Sequence, residues 1–289
     1  MRAGKIFKKI GDEFVYGGHL LSVGAGSIIL TIIEIFNLKI NWILLVIGYL
    51  MSQIVYSFDH LQGAQKDIFS NPQRTNHIIK NIKKQKIILI VYFLLLFIFL
   101  FFISNIKIFI IVTCITVLGL FYSICLKKLT QKLPGFKNFF VALVWALSPV
   151  LIIDVFYHLG LVFIAPFLLI FLFIFLRWLL NTTFFDIKDI ATDQKENLKT
   201  LPVVWGEKKL LTFLQLLNFF SFLPLIVGII WGVLPAFCLG LLIFYFYSLY
   251  YLFKTKRAKT YLHLISYVMV DGEYLFWPFI VYLAKIILC

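Results

Sequence analysis

The sequence predicts an all-α integral membrane protein with nine transmembrane helices. Three observations support this fold class: the composition of the chain, the length of its apolar stretches and the distribution of its basic residues. Of its 289 residues, 62% are hydrophobic and 14% are charged, whereas a soluble domain is roughly 45–50% apolar and 25% charged. So few charges cannot cover a water-facing surface, which excludes a soluble globular protein. The many large apolar residues exclude a disordered chain.

Nine stretches are long enough to cross a bilayer, because a transmembrane helix needs about 20 mainly apolar residues. The predicted spans are residues 15–36, 40–59, 87–103, 106–125, 139–156, 161–180, 210–231, 234–253 and 262–288. The first apolar stretch is longer than the core of an ordinary signal peptide, and no small-residue cleavage site follows it. We therefore expect it to be a retained transmembrane helix.

The basic residues predict the orientation of these spans. All of the 27 Lys and Arg residues except Lys39, Lys107, Arg177 and Lys285 lie in the N-terminal segment or in the even-numbered connections. Cytosolic loops carry the excess of Lys and Arg in membrane proteins. This pattern predicts a cytosolic N-terminus, and eight or ten spans would break it. The same bias accounts for the net charge of +14, so no nucleic-acid partner is predicted.

The sixth connection, which is cytosolic, contains three aspartates at helical spacing. Asp186, Asp189 and Asp193 are three and four residues apart, which aligns them on one face of a helix. Aligned carboxylates repel one another, and the repulsion grows in a medium of low dielectric constant. Their oxygens are suitable ligands for Mg²⁺. The alternative is a solvated turn at the membrane surface, in which Lys188 and Lys195 balance the acids.

The second connection, also cytosolic, contains a weaker acidic pattern. Asp59 ends the second predicted span, and Asp67 follows eight residues later. Gly63 and Pro72 indicate that regular helix is interrupted between them. Asp59 is therefore either part of a ligand site or a simple residue at a helix end.

Among the charged residues that fall within the predicted spans, we single out Arg177, Asp271 and Glu273, because charge inside a span is costly. They mark either a functional site, such as the solute path of a transporter, or an ion pair that holds helices together.

The residues around Asp186 carry a resemblance to a known family. Asp186-Ile-Lys-Asp189-Ile-Ala-Thr-Asp193, followed by Lys199-Thr-Leu-Pro-Val and Gly206, resembles the second aspartate-rich motif of the UbiA superfamily of membrane prenyltransferases. The segment from Tyr122 to Lys128, with Lys137-Asn138 before the fifth span, is similar to the linking region of that family. The resemblance covers nearly the whole chain, which would then be a single domain of residues 1–289.

The resemblance implies a fold, a reaction and a set of site residues. The helices would surround a central cavity, and a prenyl group would pass from a prenyl diphosphate to a lipophilic acceptor, with aromatic compounds as the first candidates. The cofactor would be Mg²⁺, and the protein would be a multi-pass protein of a prokaryotic inner or plasma membrane. The implied Mg²⁺ ligands are Asp59, Asp186, Asp189 and Asp193, which are also the implied catalytic residues. The implied substrate-binding residues are Asp67, Arg74, Lys127, Lys128, Asn181 and Lys199.

The first aspartate-rich motif departs from the family pattern Asn-x-x-x-Asp-x-x-x-Asp. If Asp59 is the central acid, Val55 stands at the Asn position and Gly63 at the last Asp position. Alternatively, Asp59 and Asp67 flank a missing middle acid. This departure leaves open a second hypothesis, in which the chain has lost catalysis and serves as a partner or lipid-binding subunit.

Overall fold

The structure of the protein, a computed structural model, describes residues 11–64, 71–257 and 262–288. The described residues form helices joined by turns, with no strand among them. Residues 11–16 are helical, and Gly18, at φ 82°, separates them from the first long helix.

The α-helices in chain order are α1 (His19–Ile35), α2 (Trp42–Gly63), α3 (Pro72–Lys80), α4 (Ile82–Ile103), α5 (Ile106–Ile124), α6 (Phe136–Tyr157), α7 (Ile164–Lys195), α8 (Leu201–Trp205), α9 (Glu207–Ser221), α10 (Leu223–Ile230), α11 (Ile243–Arg257), α12 (Leu262–Leu264) and α13 (Trp277–Leu288). The 3₁₀ segments are Leu126–Gln131, Gly160–Phe163, Ala236–Leu242 and Gly272–Phe276, and Ile265–Val270 is a π-helix.

Seven helical stretches of the described chain are long and apolar enough to cross a membrane. They are Trp42–Gly63, Ile82–Ile103, Ile106–Ile124, Phe136–Tyr157, Ile164–Lys195, Glu207–Ile230 and Ala236–Thr255, and they correspond to the second to eighth predicted spans. The first predicted span contains α1, an apolar helix of 17 residues. The ninth is divided among α12, the π-helix, a 3₁₀ segment and α13. The count of nine and the cytosolic N-terminus therefore stay predictions.

The helix that contains most of the sixth predicted span extends well past the predicted end of that span at Leu180. Helix α7 continues for four more turns to Lys195, since the sequence between these residues contains neither Gly nor Pro and no cap interrupts it. The helix ends where Asn197 adopts a left-handed conformation (φ 56°) and the Leu198 amide donates to the carbonyl of Asp193 at 2.8 Å. All three aspartates therefore lie on one continuous helix.

The seventh span is also less regular than predicted. Pro224 at the start of α10 lacks an amide proton, so the hydrogen-bond ladder of α9 cannot run through it, and the helix is interrupted at Phe222.

The bundle closes because the first and last parts of the chain meet. Helix α1 packs against α2, α6, α13 and the 3₁₀ segment Gly272–Phe276, while α7 packs against α6, α9 and α10. Helix α4 packs on the outside of α2 and leaves most of its apolar side chains exposed. The bundle thus surrounds an interior into which α2, α5, α6 and α7 all contribute side chains.

Candidate active site

A cavity of about 210 Å³ lies inside the bundle, at the end where the aspartates are found. Its lining contains seven of the residues that the sequence nominated: Asp59, Arg74, Lys127, Asn181, Asp186, Asp189 and Asp193. Three predicted substrate-binding residues are not among the described residues that line the cavity. Lys128 and Lys199 are exposed, so their phosphate contact has no geometric support. Asp67 lies outside the described residues.

Asp186 is buried among donors from helix α6. Only 2% of its surface is exposed. The Lys137 ammonium lies 2.7 Å from Oδ1 of Asp186, and the Asn138 side-chain amide donates to Oδ2 at 2.8 Å. The same ammonium is 3.3 Å from Oδ2 of Asp193. One lysine therefore contacts two of the three aligned carboxylates and offsets one of their two negative charges.

Asp189 has different partners from the other two aspartates. Lys188 contacts its Oδ2 at 2.9 Å, and the Asn71 side-chain amide donates to its Oδ1 at 2.9 Å. The Tyr267 hydroxyl donates to Oδ1 of Asn71 at 2.9 Å. The Lys188 ammonium also lies over the rings of Phe185 and Tyr267, 5.1 and 5.3 Å from their centroids. This arrangement connects α7 to Asn71, just before α3, and to Tyr267 in the π-helix.

The turn before α6 explains the position of Lys137. Gly135 is in the left-handed conformation (φ 70°), and its amide donates to the carbonyl of Lys199 at 3.1 Å. The Lys199 amide donates in turn to the carbonyl of Thr130 at 3.0 Å. These two bonds join the segment after α7 to the linker before α6, which brings the first turn of α6 beside Asp186 and Asp193. The sequence pattern assigned Lys137 no role, although a lysine in the first turn of an apolar helix was a usable signal.

Two basic residues complete the polar end of the cavity. Arg74 lies in the second connection, on α3, and its Nη1 is 3.1 Å from Nε2 of His60. Its guanidinium lies 5.8 Å from the ring centroid of Tyr267. Lys127 comes from the 3₁₀ linker Leu126–Gln131. The polar end thus combines carboxylates with several cations, a set that suits an anion bound together with a metal ion.

The three aspartates do not form a self-sufficient metal site. Within the described ranges, no group of three or more His, Cys, Asp or Glu residues is spaced to hold a metal ion alone. A metal ion bound here would therefore need further ligands, such as phosphate oxygens and water. Carboxylate oxygens are nevertheless hard ligands, and Mg²⁺ typically takes one or two carboxylates together with phosphate oxygens and water. The donor set fits an ion of that kind.

The opposite end of the cavity is apolar. It is lined by Val55, Ile115, Gly119, Val141 and Trp145. Gly119 permits α2 and α5 to approach closely, because a Cβ atom there would lie 2.7 Å from Cγ2 of Val55. The cavity therefore has a charged end and a hydrocarbon-like end.

Asp271 and Glu273, which the sequence left between two interpretations, have separate roles in the structure. Asp271 lines the cavity and accepts a hydrogen bond from the Asn181 amide at 3.1 Å. Glu273 is buried away from it and contacts Nη2 of Arg177 at 2.5 Å. The Arg177 guanidinium also donates to Asn218 and to Ser248 at 2.6 Å each. For Glu273 the helix-packing interpretation is confirmed.

The fold and the cavity define a class of protein: a helical membrane bundle with an acidic and basic pocket at one end and an apolar interior. The model of the UbiA prenyltransferase family matches residues 20–270. The chain belongs to this family, and it is an integral membrane protein.

Solved structures with a similar fold agree with this membership. A structure described in connection with digeranylgeranylglyceryl phosphate synthase in membranes is 18% identical, with a TM-score of 0.56, and the match covers 97% of this chain and 98% of that one. The apo structure of a UbiA homolog from Aeropyrum pernix K1 is 11% identical, with a TM-score of 0.63 and coverages of 93% and 97%. A UbiA homolog from Archaeoglobus fulgidus bound to GPP and Mg²⁺ is 16% identical, with a TM-score of 0.54 and coverages of 92% and 95%. No curated protein sequence gave a significant match.

Proposed function

We propose that the protein transfers a prenyl group from a prenyl diphosphate to a lipophilic acceptor in an Mg²⁺-dependent reaction at the cytosolic membrane face. The observation that carries this proposal is a single cavity with Asp186, Asp189 and Asp193 at its polar end and hydrocarbon side chains at the other. A prenyl diphosphate has the same division between a highly charged head and an apolar tail. Family membership supports the reaction class.

In this proposal the polar end binds the diphosphate. Arg74 and Lys127 supply positive charge to its oxygens. Asp59, Asp186, Asp189 and Asp193 are the residues that would hold Mg²⁺, which when bound neutralises the negative charge that develops on the leaving pyrophosphate. The bond between C1 of the prenyl group and the diphosphate oxygen breaks, a bond forms between C1 and the acceptor, and the acceptor gives up a proton.

Lys137 has a defined part in the same proposal. Its ammonium bridges Asp186 and Asp193, which partly offsets the repulsion between two buried carboxylates and holds them close together. The site is thereby preorganised for a ligand that brings positive charge of its own.

The departure in the first motif fits this arrangement. Val55, at the position where the family pattern has Asn, belongs to the apolar wall of the cavity. Asn71, the residue before α3, donates its side-chain amide to Asp189. Among the described acids of this region, Asp59 carries the ligand role.

The finer sequence predictions belong to this proposal as well. They are a single domain of residues 1–289, nine spans with a cytosolic N-terminus, and a place in a prokaryotic inner or plasma membrane. The bias of the basic residues toward the even-numbered connections supports the orientation.

The reaction can be tested with purified protein in lipid nanodiscs. Labelled geranyl diphosphate, Mg²⁺ and a lipid extract as the source of acceptor should yield a prenylated product and free pyrophosphate. Chelation of Mg²⁺ or the Asp186→Asn/Asp189→Asn variant should abolish product formation. Asp154→Asn is the matched control, because Asp154 is on α6 at the end opposite Lys137 and caps the amide of Gly160.

Unchanged product in the double aspartate variant would refute the proposed ligand roles. Binding of Mg²⁺ and diphosphate without turnover of any donor would instead favour the partner-subunit hypothesis.

A further inference from the structure

We propose that Trp145 closes the apolar end of the cavity and limits the donor tail to about two isoprene units. The inference rests on the proposed function, since it concerns the length of the prenyl chain that the cavity accepts.

Trp145 is the side chain that separates two cavities. It lines the large cavity and also a small one of about 10 Å³, whose lining includes Ala25, Gly48 and Trp178. Only 6% of its surface is exposed. Its ring system stacks with the ring of Tyr56, at a centroid distance of 5.9 Å, and with that of Trp178, at 6.0 Å. The indole is therefore a wall between the two spaces, held by stacking contacts with two aromatic rings.

The backbone at Trp145 is shaped by a proline one turn later. Pro149 has no amide proton, so the carbonyl of Trp145 has no helical donor four residues ahead. The Ser148 hydroxyl donates to that carbonyl instead, at 3.2 Å. This substitute bond and the two stacking contacts hold the indole in one place.

The depth of the cavity follows from helix geometry. Asn138, which binds Asp186, and Trp145 both lie on α6 and both line the cavity. Seven residues of α-helix separate them by about 10.5 Å along the axis. An extended carbon chain advances by about 1.25 Å per bond, or about 5 Å per isoprene unit. With the diphosphate at the level of Asn138 or nearer the cavity mouth, about two units fit before the indole, and a third would have to displace Trp145.

Below Trp145 the small cavity offers a continuation. It is bordered by the small residues Ala25, Gly48 and Ser148. Truncation of the indole, as in Trp145→Ala, joins this space to the large cavity. The truncated protein should therefore accept a longer prenyl tail.

The test measures binding, which needs no acceptor. Isothermal titration in nanodiscs with Mg²⁺ uses unreactive thiolodiphosphate analogues with 5, 10, 15 and 20 carbons. For the wild type, affinity rises from 5 to 10 carbons and gains nothing beyond. For Trp145→Ala, the ratio of 15-carbon to 10-carbon affinity increases by at least about tenfold, because a hydrophobic pocket discriminates by about 10–200-fold per methylene.

A second variant tests the opposite direction and serves if Trp145→Ala does not fold. Val141 lies one turn nearer the polar end on the same lining, so Val141→Trp shortens the space by about 6 Å and makes the 5-carbon analogue the preferred one. The control is Trp231→Ala, which removes an exposed indole outside the cavity.

Three results would overturn the inference. They are a wild type that binds the 20-carbon analogue at least tenfold more tightly than the 10-carbon one, a folded Trp145→Ala protein with the wild-type length profile, and a Val141→Trp protein that still prefers 10 carbons. If no analogue binds the wild type in an Mg²⁺-dependent manner, the proposed function itself is wrong, which is a different outcome from an altered length preference.

Discussion

Replacement of Arg177 by methionine is predicted to destabilise the bundle strongly. The guanidinium contacts Glu273, Asn218 and Ser248, which belong to three different segments of the chain. Tyr274 also donates its hydroxyl to the carbonyl of Arg177 at 3.1 Å. Arg177 therefore joins α7 to α9, α11 and the 3₁₀ segment near the C-terminus.

The magnitude follows from the burial of the partner. Glu273 is 2% exposed, so Arg177→Met leaves a carboxylate buried without its cation, which costs about 3–5 kcal/mol. The lost bonds to Asn218 and Ser248 add about 0.6 kcal/mol each. In Arg177→Met/Glu273→Met no charge remains buried, and replacement of a buried ion pair by apolar residues is often neutral or stabilising. We expect a coupling free energy of at least about 3 kcal/mol between the two positions.

The assay is a double-mutant cycle in mixed micelles. Reversible unfolding by a denaturing detergent gives the free energy of unfolding for the wild type, both single variants and the double variant. Lys254→Met is the control, because Lys254 is exposed and surface substitutions usually change stability by less than about 0.5 kcal/mol.

The reasoning is refuted if the double variant is destabilised by the sum of the two single effects. Diphosphate binding supplies a second check. Arg177 lies nine residues, or about 13.5 Å along α7, from Asp186. The folded double variant should therefore bind diphosphate as the wild type does, whereas a direct functional role of Arg177 would abolish binding.

Two further substitutions test contacts around the cavity. Lys137→Met is expected to lower the free energy of unfolding by about 3–5 kcal/mol, because Asp186 keeps a buried charge without its cation. In thermal unfolding, the double variant Lys137→Met/Asp186→Asn should regain stability relative to Lys137→Met. An unchanged unfolding midpoint in Lys137→Met alone would contradict this. Gly119→Val should lower the free energy of unfolding by about 1–3 kcal/mol through overpacking against Val55. Val55→Ala should partly restore stability in the same assay. A Gly119→Val protein as stable as the wild type would show that α2 and α5 can move apart without cost.

Much of the helical architecture could be predicted from hydropathy alone. The second predicted span, residues 40–59, contains most of Trp42–Gly63, and the fourth, 106–125, nearly coincides with Ile106–Ile124. The ninth span was predicted as one helix, but it is interrupted by the π-helix Ile265–Val270 and by Gly272. Hydropathy averages over a whole stretch, so it does not report local changes in helix type.

The candidate site was predictable where residues are close in sequence. The spacing of Asp186, Asp189 and Asp193 placed them on one face of α7, and all three line the cavity. Their partners were not predictable in the same way. Lys137 is about 50 residues from Asp186, and Asn71 is more than 100 residues from Asp189, so these contacts depend on how the helices pack rather than on a local pattern.

The most direct test of the account is titration of the wild type with inorganic pyrophosphate, with and without Mg²⁺, in nanodiscs. The account predicts that pyrophosphate binds measurably in the presence of Mg²⁺ and does not bind in its absence. Binding should be lost in Asp186→Asn/Asp189→Asn and retained in Asp154→Asn. Equal pyrophosphate affinity in the presence of a chelator, or undiminished affinity in the double aspartate variant, would contradict the claim that these carboxylates hold a metal-bound diphosphate.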